Sequence, residues 1–288
     1  MGDRSDDADR GGGLPGVGTT RSGAYRLTSL GDGLREDAPG SLASFAILSG
    51  EDYYRAWQGV DLRTRDDVTP FARVFGAPVF DWYAQHPEAG DRFYQRMTTR
   101  IVSYAATVAR VADLSAARRI VDIGGGHGLL LAAFLERWPN VRGVLFDLPG
   151  AAAAGQDRLA AMGLAGRVEV AGGDFFDETE LLPEGDVYLL SQILHDGDDA
   201  RSAIILRNIR RVINPEGHLL IVEVLMPVRV DGPHPAIDLD LLMMVLTGGR
   251  ERTASEYRNP LEKPGFALER VHEGIAPGGM SVLEARPV

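Results

Sequence analysis

Apolar residues between Ala24 and about Ala112 recur at steps of three and four: Tyr53, Tyr54 and Trp57, then Phe71, Val74 and Phe75, then Phe93, Met97, Ile101 and Tyr104. That spacing gathers each set on one face of a helix, so this part of the chain is predicted to be helical. Beyond Leu114 the rhythm changes to short β-branched runs separated by helical stretches, the pattern of βα units around a parallel sheet. The predicted strands are Arg119–Ile123, Arg142–Phe146, Arg167–Ala171, Asp186–Leu190 and His218–Val224, with Ala267–His272 and Met280–Ala285 closing the chain. Leu129–Trp138 and Arg201–Ile213 are predicted helices between them. Residues 1–23 are mainly Gly, Asp, Arg and Thr, too poor in apolar groups to offset chain entropy, and are predicted to form a disordered leader. Three segments result: the leader 1–23, a helical region 24–112 and an α/β domain 113–288.

Composition narrows the function classes. Apolar residues are 44% and charged residues 25%, the mix of an ordinary globular protein. The longest apolar run, Leu129–Leu135, falls well short of the ~20 residues a membrane span needs. The charged start, with Asp3, Arg4, Asp6 and Asp7, is unlike a secretory signal, so a cytoplasmic protein without a membrane partner is expected. Zero cysteines exclude disulfide scaffolds, thiol nucleophiles and thiolate metal sites. A net charge of −11 and a pI near 5.0 argue against a nucleic-acid partner, because phosphate binding is driven by basic charge.

The chemistry concentrates at the ends of the predicted strands. Asp122-Ile123-Gly124-Gly125-Gly126-His127-Gly128 ends the first strand and a helix follows directly, so bare backbone meets a positive helix end. A dinucleotide fingerprint would need glycine at Leu129 or Leu131, which disfavours a pyrophosphate ligand. Asp147 ends the second strand, where a carboxylate can accept both hydroxyls of a ribose. Asp174 follows the third in Gly173-Asp174-Phe175-Phe176, suited to an adenine amine with an aromatic over the ring. Together they describe a nucleoside site without phosphate recognition; the plainer alternative is a glycine connector with two capping aspartates. His195 follows the fourth strand, at the carboxyl edge where open parallel sheets bind ligands. Asp196, Asp198 and Asp199 beside it suggest a metal only weakly, since no second His is close and Asp198 reads as a helix cap. No metal is expected.

With these motifs in order, the chain resembles the S-adenosylmethionine-dependent, metal-independent small-molecule O-methyltransferases, the group of plant caffeate and flavonoid enzymes and bacterial antibiotic-tailoring enzymes. Val121–Gly128, Phe146-Asp147-Leu148-Pro149, Gly173–Phe176, Ile193-Leu194-His195-Asp196 and Gly249-Arg250-Glu251-Arg252-Thr253 carry the resemblance, which spans about Tyr25 to Val288. It implies a Rossmann-like class I methyltransferase domain with a mostly parallel sheet, after a mainly helical N-terminal domain. Gly23–Thr28 resembles only the wing of a winged-helix unit, so that domain reads as a truncated remnant and the family's homodimer is in doubt. The resemblance places Gly124 at the methionine part of S-adenosylmethionine, Asp147 on the ribose, and Asp174 with Phe175 at the adenine. Ser191 stands where plant members often have a lysine near the ligand, and a plain strand-end serine is its alternative.

The same resemblance makes His195 the general base for an aromatic hydroxyl of a small secondary metabolite, flanked by Glu223 and Glu251. A phenol with an unperturbed pKa near 10 needs such help at neutral pH. A strand-end ion pair for Glu223 and a solvated helix start for Glu251 are the alternatives. Phe93 and Met97 match the family's FxxxM pattern, and Met243 and Met244 are further candidates for the acceptor pocket, thioethers being adaptable to flat ligands. Two departures stand out: Gly197 replaces the usual Trp after His-Asp, and Pro260 and Pro264 should shorten or kink the helix after Glu251. Rival functions are a relative that keeps the cofactor but hydroxylates or decarboxylates, and a winged-helix DNA-binding regulator, which the net charge opposes.

Overall fold

The structure, a computed structural model, describes residues 16–19, 22–38, 40–60 and 68–288. It opens with a small hairpin, β1 (Val17–Thr19) antiparallel to β2 (Tyr25–Leu27). Val17–Thr19 lies inside the segment expected to be a disordered leader, and the pairing of Val17 with Leu27 and Thr19 with Tyr25 corrects that expectation there. Backbone pairing supplies the order that apolar content does not. Residues 1–15, 20 and 21 of the expected leader lie outside the described residues.

Helices follow: α1 (Ser29–Asp32), α2 (Ala43–Leu48), α3 (Tyr54–Trp57), α4 (Pro70–Phe75), α5 (Val79–Gln85) and the long α6 (Pro87–Val108). Local chemistry sets several starts. Thr69 caps α4 by accepting from the Ala72 N–H, with Pro70 in the first turn, and Pro87 opens α6, where its missing N–H costs nothing. A buried cluster of Leu48, Tyr53, Ala56, Phe71, Val79 and Tyr83 joins these helices.

The α/β part runs β3 (Arg119–Ile123), α7 (Leu129–Arg137), β4 (Arg142–Asp147), α8 (Pro149–Ala161), β5 (Val168–Gly172), β6 (Gly185–Ser191), α9 (Asp199–Arg210) and β7 (Ile213–Val224). It ends with α10 (Pro235–Leu246), α11 (Arg258–Glu262), β8 (Phe266–Ala276) and β9 (Met280–Pro287). Seven strands form one sheet in the order β5-β4-β3-β6-β7-β9-β8, parallel from β5 to β7 and antiparallel at β9 and β8. Alternate residues face opposite layers: Leu145, Leu189 and Leu220 join one buried cluster, while Val144, Tyr188 and Ile221 join the other. Burial on both faces is why these strands read as continuous apolar runs. Asp198 caps α9 by accepting from the Arg201 N–H at 2.8 Å, as its sequence position suggested. With Pro260 inside it and Pro264 just beyond, α11 lasts five residues.

Strand order reverses between β3 and β6: β4 and β5 lie to one side of β3, and β6 and β7 to the other. A crevice opens at such a switch point beyond the strand ends, at the place where Gly124 and Ser191 stand.

Candidate active site

The turn from β3 into α7 shows why glycine recurs there. Gly124, Gly126 and Gly128 have φ of 68°, 55° and 73°, the left-handed region that a side chain disfavours. A Cβ on Gly124 would also collide with the Ile193 side chain and press on the Phe175 ring. The turn borders a cavity of about 820 Å³ that runs from the sheet edge to α6, with Gly124, Gly126, Asp147, Asp174, Phe175 and Ser191 among its walls. All five residues expected at the cofactor therefore share one cavity.

Asp147 accepts from the Gly126 N–H through Oδ2 and from the Leu148 N–H through Oδ1, each at 2.7 Å. Burial raises its pKa, and those two donors oppose the rise. A carboxylate has about four acceptor positions, so both oxygens retain capacity for ligand hydroxyls. Asp174 turns the loop after β5 by accepting from the Phe176 N–H at 2.8 Å, leaving its other oxygen open beside the Phe175 and Phe176 rings, 4.8 Å apart. Ser191 Oγ is 3.0 Å from the Tyr104 hydroxyl of α6. Side-chain-free backbone, a carboxylate with spare acceptor capacity and an acid beside an aromatic fit the amino acid, ribose and adenine of S-adenosylmethionine. Asp122 lies behind the turn, fully buried, and burial together with Asp147 pushes it up to about 7, opposed by the Leu131 backbone N–H.

The second cluster is built on the turn after β6. Gln192 has φ 58° and sends Nε2 to Glu223 Oε2 at 2.9 Å. This bend aims three successive N–H groups, of Ile193, Leu194 and His195, at Glu223 Oε1 at 3.1, 3.0 and 3.4 Å. Glu223, on β7, thus anchors the turn bearing His195. His195 Nδ1 lies 2.7 Å from Glu251 Oε1 and 3.5 Å from Glu223 Oε2, while Nε2 is 3.8 Å from Asp196 Oδ1. With Nδ1–H donating to Glu251, Nε2 is left as the basic nitrogen. Burial pushes Glu251 up to about 8, with Arg100 and Arg252 pulling it down. It pushes Asp196 up to about 7, helped by Glu223 and Glu251 and opposed by His195. His195 is 4% exposed; Asp196 and Leu194, its neighbours, are what border the cavity. Ligand atoms of His195, Glu223 and Glu251 come within 4.8 Å of one another, a grouping that resembles a metal site. Four N–H donors already engage the Glu223 oxygens, and Glu251 Oε1 engages the imidazole.

The segment Gly248–Thr253 locks this turn from the other side. The Arg250 N–H donates to the His195 carbonyl at 2.9 Å, and any Cβ on Gly249 would collide with that oxygen. Arg252, fully buried, donates to the Leu194 carbonyl at 2.9 Å, the Gly197 carbonyl at 2.8 Å and Asp199 at 3.0 Å. Gly197 lets Arg201 of α9 pack against the same turn, because a Cβ there would stand 2.9 Å from the Arg201 Cβ.

The acceptor candidates divide. Phe93 and Met97 border the cavity. Met243 and Met244 do not: Met243 is buried in the cluster with Leu48 and Phe71, and Met244 packs against it, while Leu246 and Thr247 are what α10 presents to the cavity. The expectation that both methionines touch the acceptor is therefore corrected. α10 packs both ways: Ala236 joins the cluster under the sheet, while Met243, Val245 and Leu246 pack among the N-terminal helices. Sequence reasoning also missed Gln192, Arg100, Arg252 and Asp196 as parts of the site. Arg252 and Asp196 sat in quoted motifs, but nothing in a sequence marks an arginine as buried.

A family profile described as an O-methyltransferase domain matches residues 57–267. The chain belongs to that family. It is 42% identical over 271 residues to the phenazine O-methyltransferase PhzM of Lysobacter antibioticus, spanning 93% of this chain and 77% of that protein. Among solved structures, LaPhzM superposes with a TM-score of 0.87 at 42% identity, over 94% of this chain and 80% of that one. The neocarzinostatin-pathway O-methyltransferase NcsB1, solved with S-adenosylmethionine and 2-hydroxy-5-methyl naphthoic acid, gives a TM-score of 0.81 at 26% identity, over 94% and 81%. The chain is thus an S-adenosylmethionine-dependent O-methyltransferase, with the class I fold and the cofactor its motifs implied. The DNA-binding regulator falls away. No described helix is long and apolar enough to cross a membrane.

Proposed function

We propose that this enzyme methylates a hydroxyl on a planar, fused or substituted aromatic acceptor, with His195 Nε2 taking the hydroxyl proton. The supporting observation is the 2.7 Å contact between His195 Nδ1 and the buried Glu251, which fixes the ring and stabilises the imidazolium formed on proton transfer. When bound, S-adenosylmethionine supplies an electrophilic methyl group. Asp147 holds the ribose, Asp174 and Phe175 the adenine, and the backbone at Gly124 the methionine portion, with Ser191 beside them. Phe93 and Met97 form an apolar wall for the acceptor ring. Glu223 positions the His195 turn and touches no substrate. Asp196, its carboxyl pushed up by burial, stands 3.8 Å from His195 Nε2 at the cavity edge. The phenazine of one relative and the naphthoic acid bound by another are acceptors of the size this cavity accommodates.

The test uses His195→Gln with three phenols of graded acidity at saturating S-adenosylmethionine. Turnover should fall by about 10² to 10⁴ for the least acidic phenol and by progressively less for acidic ones, which ionise unaided. Affinity for S-adenosylhomocysteine, measured by calorimetry, should change little. An equal, small loss for all three acceptors would reduce His195 to a positional role.

A further inference from the structure

Two rows of side chains descend α6 into the cavity. Tyr94 and Thr98 turn toward the glycine loop: Tyr94 stacks on His127 at 5.3 Å, and Thr98 Oγ1 is 3.1 Å from His127 Nδ1. Phe93, Met97, Arg100 and Tyr104, at steps of four, three and four, form the neighbouring row and all border the cavity. Among them stands one cation. Arg100 is half-buried, and among the described residues its guanidinium has no hydrogen bond, ion pair or aromatic partner.

Comparable arginines are engaged. Arg96, one turn earlier, sits over Phe45 at 4.3 Å; Arg92 is 3.9 Å from Glu51; Arg167 donates to three carbonyls; Arg252 has its three acceptors. Asp81, Asp147, Asp174 and Asp196 border the same cavity, and none comes within ion-pair distance of Arg100. A partly desolvated guanidinium with five donors and no acceptor is poised for an anion from outside the chain, and its planar fork matches a carboxylate. Arg100 also acts on the catalytic cluster, being the largest single influence that pulls the Glu251 pKa downward.

We infer that Arg100 anchors a carboxylate carried by the ring system that bears the reacting hydroxyl, which makes a hydroxylated aromatic acid the acceptor. The inference rests on the reading that the cavity methylates aromatic hydroxyls. A carboxylate also terminates the methionine part of S-adenosylmethionine, and the experiment separates the two sources. Arg100 stands one turn beyond Met97, in the row whose Phe93 and Met97 are assigned to the acceptor wall, which favours the acceptor.

Fluorescence titration of 3-hydroxy-2-naphthoate and of 3-hydroxy-2-naphthamide into enzyme saturated with S-adenosylhomocysteine gives a binding ratio without any turnover. The wild type should bind the acid at least about tenfold more tightly than the amide, in line with the strength of charge-assisted hydrogen bonds. Arg100→Gln should bring the two within about twofold, and Arg100→Lys, which keeps the charge and loses the fork, should fall between. Affinity for S-adenosylhomocysteine in Arg100→Gln should stay within about twofold of wild type by calorimetry. A wild type that does not bind the acid or does not prefer it, or an acid preference that survives Arg100→Gln, overturns the proposal. So does a drop in S-adenosylhomocysteine affinity with the acid preference intact, which would assign Arg100 to the methionine carboxylate. If Arg100→Gln does not fold, Arg100→Lys decides, because an undiminished acid preference there contradicts bidentate recognition. Absence of S-adenosylhomocysteine release from any phenol defeats the methylation reading instead, and the binding ratio does not depend on it.

Discussion

Arg252→Met removes a guanidinium that holds the catalytic turn from behind while leaving cavity-facing groups in place. The carbonyls of Leu194 and Gly197 lose charged donors, at about 1.5–3 kcal/mol each for hydrogen bonds to a charged group. Asp199 is 32% exposed and keeps Arg250 at 3.3 Å and Asn259 at 3.4 Å, so its lost ion pair adds little after solvent screening. Methionine fills part of the space over Tyr257 and offsets some of the loss, leaving on the order of 4 kcal/mol. At about 2–4 °C per kcal/mol for a domain of this size, the melting temperature should drop by roughly 10 °C. Scanning calorimetry measures that drop. Below the transition, kcat should fall, because the turn that carries His195 slackens. A variant within about 1 kcal/mol of wild type with unchanged kcat would refute the view that Arg252 positions the turn.

Two further predictions test other parts of the molecule. Asp122 is raised from 3.8 to about 7, so the folded chain holds a proton there that the unfolded chain releases; stability falls as pH rises between those values. Asp122→Asn should flatten that part of the melting-temperature curve between about pH 4 and 7, and an unchanged slope would show that Asp122 is not its source. Met243→Ala should cost about 2–5 kcal/mol in denaturant unfolding, as a buried truncation does, while leaving the acceptor KM within about twofold; a large KM change would return Met243 to the pocket.

The central parallel strands β3, β4 and β6 were legible within a few residues because burial on both faces makes them largely apolar runs. β7 was expected from His218 but starts at Ile213, absorbing Asn214, Pro215 and Gly217 at an irregular register between Gly185 and Val187. β1 escaped because its order comes from pairing with β2, not from apolar content. In the site, His195, Glu223 and Glu251 were visible through their motifs, and the structure brings the three together. Met243 misled because a helical stripe looks the same whether it faces a pocket or a neighbouring helix. Gln192 and Arg252 were invisible for a different reason: a positive φ at a non-glycine residue and the burial of a charged side chain are both imposed by partners distant in the chain.

Strand β9 lies between β7 and β8, so β7 has no neighbour on that side until residues 280–287 are in place. Glu223, opposite Ser281 in that pairing, sits on this late-sealed strand. Until that pairing forms, the sheet presents an open edge beside its future catalytic centre. An open edge recruits other strands. Any nascent chain stalled or cleaved before Met280 carries every residue of the site, yet offers β7 to the nearest exposed strand in the cell. Closure of the sheet beside the site then rests on residues 280–287, none of which is assigned a chemical role.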